Sequence, residues 1–125
     1  MKGAILVVED HQNIRDGMIQ ALTHEGFVGI PAANGKEALD YLTSGGPASV
    51  IVLDLKMPVM NGWTFRQRQQ DDPRLAGIPT VVLSGLDTRP FGADIPAAIL
   101  QKPVDFKTLL VLLEALCDAA QRRRG

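Results

Sequence analysis

Five short runs of apolar, largely β-branched residues alternate along the chain with longer amphipathic stretches, the pattern of a parallel sheet with helices on both faces. The first run, Ala4-Ile5-Leu6-Val7-Val8, lacks polar alternation and predicts a strand buried on both sides. After Asp10, the residues Ile14, Met18, Ala21 and Leu22 fall on one helical face and predict a helix of about 14 residues ending at Gly26. Phe27 to Ile30 predicts a weaker strand that Pro31 breaks, and Asn34 then caps a helix carrying Ala38, Leu39 and Leu42.

Val50-Ile51-Val52-Leu53 is the clearest strand and runs straight into Asp54. Residues 57–62 hold a proline and an Asn-Gly pair and predict a loop, after which Trp63 to Gln70 predicts a helix. Its core face is thin, because Gln67, Arg68 and Gln69 leave mainly Phe65 to pack inward. Thr80 to Leu83 and Ala97 to Leu100 predict the last two strands, ending at Ser84-Gly85 and at Gln101-Lys102-Pro103. Asp105 caps a final helix with Leu109, Leu110, Leu113, Leu116 and Ala120 at helical spacing. No repeat or linker divides residues 1–125, so one domain is expected.

Composition narrows the function classes. Hydrophobic residues make up 46%, charged residues 22%, and the net charge is -1, as in an ordinary globular protein. The near-neutral charge argues against a nucleic-acid footprint, and Arg122-Arg123-Arg124 is read as a solvated tail. No apolar stretch is long enough to span a membrane or to serve as a signal segment. The single Cys117 cannot form an intramolecular disulfide and, with two histidines, builds no zinc cluster of the Cys/His kind, which fits a reducing cytoplasm.

Polar residues follow four of the strands: Glu9-Asp10, Asp54, Ser84 and Lys102. In an open α/β sheet ligands bind at the carboxyl ends of the strands, so these positions converge. Three carboxylates crowded there repel by about 4 kcal/mol per close pair at an effective dielectric near 20, a penalty that a divalent cation removes. Oxygen ligands select Mg²⁺, with Lys102 as a mobile positive charge and Ser84 as a hydroxyl donor. That set suits phosphoryl transfer to a carboxylate nucleophile, for which Asp54 is the best placed. Each residue also has a plainer reading: Asp10 as a helix N-cap, Ser84 as a loop serine, Lys102 as a surface lysine. His11 and His24 are read as exposed helix residues, and Trp63 as a partner contact or as packed on its own helix.

The pieces Leu6-Val7-Val8-Glu9-Asp10, Asp54-Leu55-Lys56-Met57-Pro58-Val59-Met60-Asn61-Gly62, Ser84-Gly85 and Lys102-Pro103, taken together and in this order, resemble the receiver domain of two-component response regulators over nearly the whole chain. The resemblance implies a flavodoxin-like, doubly wound α/β fold with five parallel strands in the order 2-1-3-4-5. It implies that Asp54 accepts a phosphoryl group from a phosphohistidine of a sensor kinase or of a histidine phosphotransfer protein. Asp10 and Asp54 would bind Mg²⁺ directly, Glu9 largely through water, and Lys56 by its backbone carbonyl. Ser84 and Lys102 would hold the phosphoryl oxygens, and the peptide before Pro103 would be cis.

Two departures stand out. Ser84 to Lys102 spans 18 positions where the family has more, and Leu86 to Pro96 contains Pro90, Gly92 and Pro96, which predicts a shortened or irregular fourth helix. Ile99 stands where the family usually carries the aromatic residue that swings inward on activation. The expected function is a cytoplasmic, single-domain phosphoacceptor module, monomeric or weakly dimeric, that alters its contacts with an unidentified downstream protein. It would catalyse only its own phosphorylation and dephosphorylation. The alternative is a constitutive interaction module with the same fold. A haloacid-dehalogenase-like phosphatase is disfavoured, since Lys56 stands where such enzymes carry a second Asp.

Overall fold

In the computed structural model, residues 2–55, 60–85 and 96–124 are described, apart from the side chains of residues 121, 123 and 124. The described elements run β1 (Ala4–Val8), α1 (Gln12–His24), β2 (Val28–Ala32), α2 (Gly35–Thr43), β3 (Val50–Asp54), α3 (Gly62–Asp71), β4 (Thr80–Ser84), β5 (Ala98–Gln101) and α4 (Phe106–Arg124). The strands form one parallel sheet in the order β2-β1-β3-β4-β5. Lys56 and the segment 86–95, with the shortened fourth helix expected there, lie outside the described residues.

Strand alternation sorts the core into two layers. Leu6, Val8, Ile51, Leu53 and Val82 face Ala38, Leu42 and Phe65 of α2 and α3. Ile5, Val7, Val50, Val52, Val81 and Leu83 face Leu22 of α1 and Leu109, Leu113 and Cys117 of α4. Burial on both sides explains why β1, β3 and β4 read as unbroken apolar runs.

Local chemistry sets the helix ends. Gly26, at φ 95°, donates its N–H to the Thr23 carbonyl, and Phe27 donates to that of Leu22, which closes α1 in a Schellman motif. Asn34 and Asn61 accept from the backbone N–H of Glu37 and Thr64 at 2.9 Å and cap α2 and α3. Asp105 accepts from the Lys107 N–H and the Thr108 hydroxyl at the start of α4.

Three local expectations are corrected. β2 does not stop at Pro31: it continues to Ala32, because β2 is an edge strand and a proline there removes no bond from an inner ladder. Ile14 is not in the core but about half exposed, since α1 packs through Met18, Ile19 and Leu22. Gln69 does not face solvent. It is fully buried, donates to the carbonyls of Leu75 and Ile78, and its Oε1 accepts from Arg66 and from the Thr80 hydroxyl. A polar knot thus supplements Phe65 on the inner face of α3.

Candidate functional site

Because all five strands are parallel, Glu9-Asp10, Asp54, Ser84 and Lys102 emerge from one edge of the sheet. The winding reverses at β1, which has β2 on one side and β3 on the other, and a ligand crevice opens at such a point. Glu9 and Asp54 stand at its two walls, each about 96% shielded from solvent or more.

The Lys102 ammonium crosses this edge and donates to Asp54 Oδ1 at 2.9 Å, while lying 4.0 Å from Glu9 Oε1. The Lys102 backbone N–H bonds the Ser84 carbonyl at 2.7 Å, and the Lys102–Pro103 peptide is cis as expected. Ser84 is buried one position past Leu83, the register partner of Asp54, and its hydroxyl donates to the Gly85 carbonyl at 3.3 Å. The expected residues Glu9, Asp10, Asp54, Ser84 and Lys102 therefore share one sheet edge.

Electrostatics there are unbalanced toward negative charge. Burial pushes the Glu9 carboxyl up to about 7, with the neighbouring Asp10 and Asp54 carboxylates adding to the rise and the His11 N–H opposing it. Asp10 is not the N-cap of α1. That position belongs to His11, whose side chain makes no capping bond, and Asp10 Oδ1 is buried with no hydrogen-bond donor among the described residues. A buried, donor-free carboxylate oxygen beside two further carboxylates suits a hard divalent cation.

Three contributors escaped the sequence reading. Arg15 Nη1 donates to the Glu9 carbonyl at 2.9 Å and anchors the turn after β1. Its spacing of four from His11, whose carbonyl accepts from the Arg15 N–H, was the available signal. His11 donates its backbone N–H to Glu9 Oε2 at 3.2 Å, and its ring turns back toward Glu9 and Asp10. Gly62 presses on the end of β3: its N–H bonds the Leu55 carbonyl at 2.8 Å, and a Cβ there would meet Leu55 Cα at 2.7 Å and the Asp54 carbonyl oxygen at 2.8 Å. No local pattern announces that contact beyond the Asn-Gly pair itself.

The comparisons with known proteins agree with this architecture. The family model described as "Response regulator receiver domain" matches residues 5–114. The alkaline phosphatase synthesis transcriptional regulatory protein SphR of Synechococcus elongatus is 35% identical, over 95% of this chain and 50% of its own length. The sensor kinase CckA of Brucella abortus is 31% identical, over 91% of this chain and 12% of its own. The chain thus spans half or less of these curated relatives. A crystal structure of a response regulator receiver domain protein from Methanospirillum hungatei JF-1 superposes with a TM-score of 0.87 at 24% identity, covering 98% of this chain and 99% of that one, and shows the same fold. The chain belongs to the response regulator receiver domain family.

Proposed function

We propose that this domain is the phosphoacceptor of a two-component phosphorelay and that Asp54 carries the phosphoryl group. The observation that carries the reading is the Lys102 ammonium held 2.9 Å from a buried Asp54 carboxylate at the carboxyl edge of the sheet. An Asp54 carboxylate oxygen attacks the phosphorus of a phosphohistidine. The P–O bond forms as the N–P bond breaks, and the imidazole leaves with the bonding pair.

Asp10 and Asp54, with Glu9 acting through water and the carbonyl of Lys56, would hold Mg²⁺. The ion would neutralise charge on the phosphoryl oxygens. Lys102 pairs with a phosphoryl oxygen once Asp54 is phosphorylated, and the Ser84 hydroxyl leaves the Gly85 carbonyl to donate to another. Burial of Asp54 and Ser84 limits the access of water to the acyl phosphate.

As a phosphoacceptor the domain is a cytoplasmic signalling module and no enzyme toward other substrates. Its donors are a sensor histidine kinase or a histidine phosphotransfer protein, and its output is a changed contact with a downstream protein rather than nucleic acid or membrane. Ile99 lies about half exposed on β5, so any change of contact there proceeds without an aromatic rotamer. The test is transfer from a phosphohistidine donor in Mg²⁺. Label that moves to the chain in Mg²⁺ and fails to move when a chelator is present from the start supports the phosphoacceptor reading. Failure to accept label from any such donor favours the constitutive interaction module.

A further inference from the structure

The stretch between β2 and α2 is bonded at its two ends to two different parts of the site. At one end the Glu9 N–H donates to the Ala32 carbonyl at 3.0 Å, which extends the β1–β2 ladder past Val8. At the other end the Gly35 N–H donates to the Met60 carbonyl at 3.3 Å, on the segment between β3 and α3. Residues 32–35 thus bridge the turn that carries Glu9 and Asp10 and the segment that follows Asp54. The far contact is tight, since a Cβ on Gly35 would meet Met60 Cγ at 2.9 Å and the Met60 carbonyl oxygen at 3.0 Å.

A reciprocal cap stiffens this bridge. Asn34 Oδ1 accepts from the Glu37 N–H at 2.9 Å, and Glu37 Oε1 accepts from the Ala33 N–H at 3.0 Å, so the pair fixes the bridge as well as the start of α2. Both anchors are held on their other sides. Arg15 donates to the Glu9 carbonyl, and the Gly62 N–H closes the segment after β3 on the Leu55 carbonyl. A change in the bridge therefore alters how the two parts are placed against each other.

We propose that residues 32–35 form a strap that places the segment after Asp54 against the Glu9-Asp10 turn, and that Glu37, exposed on α2, is a positioning residue for phosphoryl transfer through its bond to the Ala33 N–H. The role rests on the phosphoacceptor reading above. Asp10 belongs to one of the strapped parts and Lys56 to the other, and a misplacement of 1 Å lowers a rate by as much as about a hundredfold.

The experiment compares the parent with Glu37→Ala, Glu37→Gln and Asp72→Ala, all well below their thermal midpoints. It reads the rate of labelling by acetyl phosphate in saturating Mg²⁺, and the exchange of the Gly35 amide in the metal-free chain by NMR. Asp72 is the control, because it accepts from the Arg74 N–H at 2.9 Å between α3 and β4, at the opposite edge of the sheet. Glu37→Ala is expected to label about tenfold more slowly, and its Gly35 amide to exchange about fivefold faster, as for a lost helix cap. Glu37→Gln should restore both, since an amide oxygen caps as a carboxylate does, and Asp72→Ala should change neither. In Gly35→Ala, where the Met60 contact is already displaced, adding Glu37→Ala should slow labelling by less than it slows the parent. Equal losses in Glu37→Ala and Glu37→Gln, equal slowing by Asp72→Ala, or an undiminished effect in the double variant overturns the strap. A labelled parent with an unslowed Glu37→Ala overturns the strap alone, whereas a parent that takes no label defeats the phosphoacceptor reading and the positioning role with it.

Discussion

The Lys102 ammonium donates to Asp54 Oδ1 at 2.9 Å while standing 4.0 Å from Glu9 Oε1, so one cation is shared between two buried carboxylates. Lys102→Ala leaves both without it. Initial rates of labelling by acetyl phosphate should fall by about a hundredfold, the cost of losing one preorganised charge donor from a reacting oxyanion. A rate equal to that of the parent would remove Lys102 from the reaction.

Gly62 gives a stability prediction with an internal control. A Cβ at Gly62 would lie 2.7 Å from Leu55 Cα and 2.8 Å from the Asp54 carbonyl oxygen, whereas one at Gly17 in α1 meets nothing within 4 Å. Gly62→Ala should destabilise by about 1–3 kcal/mol because backbone must move. Gly17→Ala should stabilise by about 0.5–1 kcal/mol. Urea denaturation reads both, and an equal sign for the two would contradict the packing described for the end of β3.

Gln69 is the second structural test. Gln69→Leu removes the donors to the Leu75 and Ile78 carbonyls and the acceptor shared by Arg66 and Thr80. The loss should be about 2–4 kcal/mol, since buried partners are left unsatisfied. Hydrogen exchange should rise first in residues 72–79, the segment in which Gln69 holds the carbonyls of Leu75 and Ile78. Uniform exchange across the chain would argue against a local role.

Mg²⁺ should raise the thermal midpoint by mass action, because the carboxylates converge only in the folded chain. The rise should vanish in Asp10→Asn and persist in Ser84→Ala. Loss of the rise in Ser84→Ala alone would move the metal site away from Glu9 and Asp10.

The sheet was legible in the sequence because its inner strands are buried on both faces, so residues 4–8, 50–53 and 81–83 are apolar without interruption. Asp54 and Lys102 were legible for a related reason, since strand ends fix where their side chains emerge. Gln69 was not, because helical periodicity counts polarity and cannot see carbonyls from a neighbouring loop that a buried amide satisfies. Pro31 misled because strand propensity does not say which strand is at the edge. The orientation of the His11 ring likewise depends on the turn after β1, which no spacing rule encodes.

The most direct measurement is intact-mass spectrometry of the chain after incubation with acetyl phosphate and Mg²⁺, followed by hydroxylamine treatment and peptide mapping. The account predicts a gain of one phosphoryl group that hydroxylamine removes, that maps to the peptide containing Asp54 and that is absent from Asp54→Ala. A stable modification elsewhere, or an Asp54→Ala chain labelled as well as the parent, would contradict it.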